Sequence, residues 1–305
     1  MKNLLTSAAI ALALCAGPAF AADLPSRKEA PAPVYVPPPP PPLWTGFYAG
    51  LNAGGTFGGS NSVTLSGGGF GTLGAPSAAQ IASFNGVSSV ASGVIPTSNG
   101  GFIGGGQAGY NWQFNSFVLG FETDIQGLAG SSSSSSVAGA VPLSPPLGAF
   151  SAFGTASASQ SLDYLGTVRG RVGYLFTPTL LVYGTGGLAY GGANLSTSGL
   201  AIDGSGVASP VFGGSTYSDT RVGWTAGGGL EWMFHPNWSA KIEYLYYDLG
   251  TLTTNPGVAL VTTPTGVAFG AVAQQASAQF NGHIVRAGLN YHFNWGAPAP
   301  ALSKY

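Results

Sequence analysis

Along residues 117–127 the side chains alternate strictly: Phe117, Leu119, Phe121, Thr123 and Ile125 fall on one face, Gly120, Glu122, Asp124 and Gln126 on the other. Period two is the signature of a β-strand. Segments 45–57, 101–113, 117–127, 161–174, 180–191, 221–234, 238–250 and 281–293 all show it, and the pattern predicts eight strands. Their lengths suit the roughly 9 to 11 residues with which a tilted strand crosses the hydrocarbon layer of a bilayer. In 161–174, Leu162, Tyr164, Val168, Val172 and Tyr174 oppose Asp163, Thr167, Arg169 and Arg171. In 238–250, Trp238, Ala240, Ile242, Tyr244 and Tyr246 oppose Lys241 and Glu243, and in 281–293 Val285, Ala287, Leu289, Tyr291 and Phe293 oppose Arg286, Asn290 and His292.

The connections alternate in length. Short ones lie near 113–116, 175–179 and 235–237, and long ones at 58–100, 128–160, 192–220 and 251–280. An even strand count with short-long parity is what a bacterial outer-membrane barrel requires, with short turns in the periplasm and long loops outside. Trp44, Phe47, Tyr48, Tyr110, Trp112, Trp232, Phe234 and Trp238 fall near the short-turn ends, where amphipathic rings favour the headgroup boundary. The expected fold is therefore all-β: an eight-stranded antiparallel transmembrane β-barrel with short periplasmic turns and long extracellular loops.

Composition sharpens this. Only 6% of residues are charged, and segments 58–100, 128–160 and 251–280 carry no charge, whereas a soluble surface wants roughly a quarter charged. Lys2, the apolar run from Leu4 to Ala16 and Ala19-Phe20-Ala21 read as a secretory signal peptide over 1–21. Segment 22–43 ends in the proline run Pro37 to Pro42 and reads as a polyproline periplasmic spacer in possible contact with the cell wall or a neighbour. The barrel domain is 44–305. Cys15, the one cysteine, leaves with the signal, so the mature chain has no thiol for a disulfide, a nucleophile or a metal.

The candidate chemistry lies on the polar strand faces. Glu122, Asp124, Asp163, Glu231 and Glu243 stand with Arg169, Arg171, Lys241 and Arg286 on the expected lumen face. An isolated charge there would carry a large desolvation cost, so a paired network is expected. No His-Glu-x-x-His, Gly-x-Ser-x-Gly or phosphate-cradling loop occurs, and no basic patch points to nucleic acid. No catalytic, cofactor-binding or metal residues are expected.

Five strings together carry a family likeness: 44–50 (WTGFYAG), 105–112 (GGQAGYNW), 223–232 (GWTAGGGLEW), 238–244 (WSAKIEY) and 286–295 (RAGLNYHFNW). In combination they resemble the small outer-membrane β-barrel proteins of alphaproteobacteria known as outer-membrane immunogenic proteins, distantly similar to the OmpA transmembrane barrel. The resemblance covers about 44–305 and implies an abundant, non-enzymatic surface antigen that contributes to envelope integrity. In some relatives it implies porin-like or haemin-binding behaviour instead. For haem this chain offers little: its one loop tyrosine is Tyr217, and no histidine lies in the long loops. Expected partners are outer-membrane lipid, lipopolysaccharide and the barrel assembly machinery, with the protein a monomer. The uncharged loops are expected to be mobile and dispensable for folding.

Overall fold

The computed structural model describes residues 43–293 apart from 60, 61, 91, 98, 99, 255 and 256. The expected signal peptide, and all but the last residue of the proline-rich segment, lie outside the described residues.

Alternation becomes strand where it was expected, and the strands run on. The elements are β1 (Gly46–Phe57), β2 (Ser62–Thr72), α1 (Ala78–Val90), β3 (Gly93–Pro96), β4 (Gly101–Phe114) and β5 (Phe117–Ala129). There follow β6 (Ser133–Pro142), β7 (Ser151–Thr177), β8 (Leu180–Asp203), β9 (Val211–His235), β10 (Trp238–Thr253), β11 (Gly257–Thr262) and β12 (Ala268–Phe293). All twelve strands belong to one antiparallel sheet. Its ladders run β1-β4-β5-β7-β8-β9-β10-β12, and β12 pairs back onto β1 from Phe47↔Phe293 to Phe57↔His283. At that level the sheet has no open edge.

The expectation of an eight-stranded fold with long loops is thus corrected: the sheet has twelve strands among the described residues, and β7 reaches 27 residues. Bilayer thickness limits how much of a strand crosses lipid, but it does not limit the ladder. In 192–220 and 151–160, Ser and Thr alternate with apolar residues, so most hydroxyls face out while Ala156, Ala158, Ala193, Thr197 and Ala201 face in, and the backbone groups stay paired. Segment 58–100 forms β2, α1 and β3, with β2 laid against β12 and β3 against β2. The ring therefore carries an upper storey beyond the strand ends inferred from sequence.

Helix α1 closes that storey. Ser77 caps it reciprocally with Gln80, the Gln80 N–H reaching the Ser77 hydroxyl at 3.3 Å and the Ser77 N–H reaching Gln80 Oε1 at 2.8 Å. Its buried face sets Phe84 and Val87 against Ala201, Ala208, Val211, Val261, Phe269 and Val272. These residues come from every segment that was expected to be a mobile loop except 128–160. The helix is also tied to the turn after β8, where the Ser83 hydroxyl donates to Asp203 Oδ2 at 2.8 Å.

Asp203 organises that turn. Its carboxylate accepts the backbone N–H groups of Ser205, Val207 and Ala208, each at 2.9 Å, and the Ser205 hydroxyl. Burial pushes its carboxyl up, but the donated hydrogen bonds from Ala208, Ser205 and Ser83 outweigh it and hold the group below the usual 3.8. A depressed folded pKa contributes stability that is present above the unfolded value and lost as pH falls through the folded one. Acidification below about pH 4 is accordingly expected to loosen α1, read as lower amide protection factors in 78–90 and 203–211 once the intrinsic pH dependence of exchange is divided out, while Asp203→Asn flattens that dependence. Protection factors unchanged from pH 6 to pH 3 would exclude this role.

Candidate functional site: a neutral charge layer inside the ring

Inward positions on the ring strands bring eight of the nine expected charges together. On β5 these are Glu122 and Asp124, on β7 Arg169 and Arg171, on β9 Glu231, on β10 Lys241 and Glu243, and on β12 Arg286, all buried. Register explains the meeting: Glu122 lies opposite Arg169, Lys241 opposite Glu231, and Glu243 opposite Arg286.

Four carboxylates face four cations, so the layer is neutral. Arg169 is its hub: Nη2 reaches Asp124 at 2.9 Å and also bonds Glu122, and Nη1 reaches Glu243 at 3.0 Å. Arg286 bonds Glu243 and lies 2.8 Å from Asp124. Lys241 donates to both Glu122 oxygens at 2.8 Å. Arg171 donates to Glu231 at 2.8 Å while its guanidinium lies over the Tyr48 and Tyr183 rings, at 5.3 and 4.7 Å from their centroids. Charge-assisted bonds in low dielectric are strong, and each charge would be costly without them.

Asp163 is not part of the layer, which corrects the sequence reading. A register irregularity between Leu162 and Leu165 inserts a residue into β7, so parity flips. Leu162 turns inward and Asp163 turns outward, where Asn194 donates to it at 2.9 Å. Alternation counted along one strand cannot register a bulge.

Neutral partners complete the layer, of which the sequence reading places Asn290 on the polar face but not Tyr48, Tyr183 or Ser239. Tyr48 donates to Glu122 at 2.8 Å and Tyr183 to Glu243 at 3.0 Å, while Ser239 and Asn290 donate to Glu231 at 2.6 and 2.8 Å. Tyr48 and Trp44 were assigned to an aromatic belt, yet both are fully buried inside the ring. The signal was available in parity, since Tyr48 shares its face with Gly50 and the buried Asn52. Gly109, opposite Tyr48, leaves the room its ring needs: a Cβ there would collide with the Tyr48 hydroxyl and the Phe121 carbonyl.

Apolar packing seals the layer on both sides. At the short-turn end Trp44 packs with Val118, Leu175, Leu181, Tyr183 and Met233, its indole N–H donating to the Pro178 carbonyl at 3.0 Å. At the other end Ile103, Leu165, Leu245, Leu249, Phe280 and Ile284 fill the ring. On the outside the short-turn end carries contacting rings, among them Phe47–Tyr110, Tyr110–Trp112, Phe117–Tyr174 and Trp238–Tyr291. Leu51, Val172, Leu188, Leu230 and Ile242 project between that level and Trp224. Such an outward apolar band over a polar interior defines a protein that meets lipid with its sheet.

Residues 7–293 match the outer membrane protein beta-barrel domain family, and the chain belongs to it. It is similar to the 31 kDa outer-membrane immunogenic protein of Brucella melitensis biotype 1, with 38% identity over 284 residues covering 92% of this chain and 96% of that protein. A 22 kDa outer membrane protein of Rhizobium leguminosarum bv. viciae is 32% identical over 148 residues, covering 48% of this chain and 53% of the relative. Among solved structures the outer membrane protein OprG of Pseudomonas aeruginosa is 12% identical, covering 82% of this chain and 96% of that one, with a TM-score of 0.34. The chain is an outer-membrane protein of this family.

Proposed function

We propose that the protein serves envelope integrity as a closed wall element: a surface protein whose interior is filled and does not conduct. The observation that carries this reading is the neutral layer of four carboxylates against four cations, buried between two apolar plugs. A sustained ion path needs a continuous wet lumen, and here the side chains occupy that space. Several atoms in the layer, including both amide atoms of Asn111 and Arg171 Nε, find no protein partner.

Purified protein in a planar bilayer is expected to show no sustained conductance at 1 M salt, a roughly tenfold higher ionic strength than that giving a Debye length of about 10 Å. Steady channels from the unmodified protein would defeat the closed reading and favour a small porin. Of the ring-strand histidines, His292 Nε2 bonds the Ser239 hydroxyl at 2.8 Å inside the layer, His283 Nδ1 bonds the Tyr244 hydroxyl at 2.7 Å, and His235 ends β9 at the short-turn side.

A further inference from the structure

The outward faces of β7, β8 and β9 change character twice along their length. On β9 the series from the short-turn end is Trp232, Leu230, Gly228, Ala226, Trp224 and Val222, then Thr220, Ser218, Thr216 and Gly214, and finally Phe212, 72% exposed. On β8 Leu188 is followed outward by Asn194, Ser196 and Ser198, then by Leu200 and Ile202. On β7 Val172 and Val168 give way, past the outward-turned Asp163, to Ser161, Ser159, Ser157 and Thr155, then to Phe153. Three neighbouring strands thus share an apolar band, a hydroxyl belt and a second apolar band.

Register joins the second band. Phe153 lies opposite Ile202, and Leu200 opposite Phe212. Val258 and Leu260, both exposed, extend it along β11, whose Gly257 approaches the Gly214 carbonyl so closely that a Cβ on it would lie 3.0 Å away. Phe212 is ten residues beyond Val222, which at about 3.3 Å per residue and a tilt near 40° sets it about 25 Å above the first band. The host bilayer does not reach it.

The turns beyond this band add Phe150 and Val267, both exposed, and no exposed charge. Segments 58–100, 128–160 and 251–280 contain no charged residue, and the one acidic group near the apex, Asp203, is consumed by its turn. A protein partner would need an apolar patch but would not demand that the whole surrounding tip be free of charge. An uncharged lipid surface suits this tip, because interfacial binding grows with the apolar area buried and a charge carried below the headgroups pays desolvation. We propose that this tip is a docking surface for an apposed lipid layer: the second band and the apex enter the interface of a neighbouring membrane or vesicle, while the hydroxyl belt spans the gap.

The test mixes the full protein, held in nanodiscs, with phosphatidylcholine vesicles and separates them by flotation. Wild-type discs are expected to float with the vesicles to the same extent at low and high salt, since no charge is involved. Phe153→Ser combined with Phe212→Ser is expected to reduce the floating fraction about tenfold, a change of about 1.4 kcal/mol. Retention of heat-dependent gel migration by the double variant shows that the ring is folded. Wild-type discs that stay at the bottom, or a folded double variant that floats equally well, would overturn the proposal. Flotation only with vesicles bearing a surface protein would overturn it in favour of a protein partner, and cross-linking of Phe212→Cys discs without vesicles would do so in favour of a second copy.

Discussion

Replacing Arg169 with Ala is expected to lower stability by about 3 to 5 kcal/mol, the cost of leaving buried charge without its partner. The guanidinium bonds Glu122, Asp124 and Glu243 at once, so its loss leaves four carboxylates against three cations in a layer closed to solvent. Burial decides the size of the effect, for the same substitution at an exposed ion pair costs under about 1 kcal/mol. Arg169→Lys keeps the charge but cannot serve three carboxylates from one fork, and an intermediate loss is expected. Unfolding midpoints in matched detergent and salt measure both variants, with salt held fixed because screening weakens a wet network more than a dry one. A folded Arg169→Ala protein as stable as the parent would show the layer to be solvated and its pairing incidental.

Removing residues 66–95 is expected to strip the upper storey while sparing the ring. The deletion takes α1, most of β2 and nearly all of β3, and with them Phe84 and Val87, which cover Ala201, Val211, Phe269 and Val272. Deleting a buried Phe side chain alone costs about 3 to 5 kcal/mol, so losing the whole cover exceeds what a local unit can sustain. None of the ring ladders between β1, β4, β5, β7, β8, β9, β10 and β12 below Gly101 and Asn281 involves the deleted residues. Heat-dependent migration and membrane assembly are therefore expected to persist, while 128–160 and 251–280 become open to protease. Undiminished protease resistance would mean that α1 contributes nothing to the tip. Loss of assembly would mean that segment 58–100 nucleates the ring.

Much of the ring was legible because a strand that separates lipid from a filled interior must alternate, and that alternation survives in a linear string. The strand starts near 45, 101, 117, 180 and 238 and the turns near 115, 178 and 236 were all readable in this way. So were eight of the charges, because they fall on the polar face of clearly alternating strands. The continuation of β7, β8, β9 and β12 past the bilayer was not legible, because Ser, Thr, Ala and Gly alternate too softly to be distinguished from loop. Helix α1 is harder still: it is flanked by masking runs of Gly and Ser and shows no clear apolar stripe, its buried face including Ala82, Ser83 and Gly86.

By itself the sequence determined the class of structure and the chemistry of its interior, since periodicity, charge placement and connection parity are properties of order along the chain. It also contained the family likeness, spread over strings that no single element explains. Tertiary structure alone decided which carboxylate met which cation, because that depends on register between strands as far apart as Asp124 and Arg286. It alone turned Asp163 out through the irregularity after Leu162, and it folded Trp44 and Tyr48 into the ring. It alone converted uncharged segments into a packed storey, where small side chains that favour no structure locally bury area only once the neighbouring strands are in place.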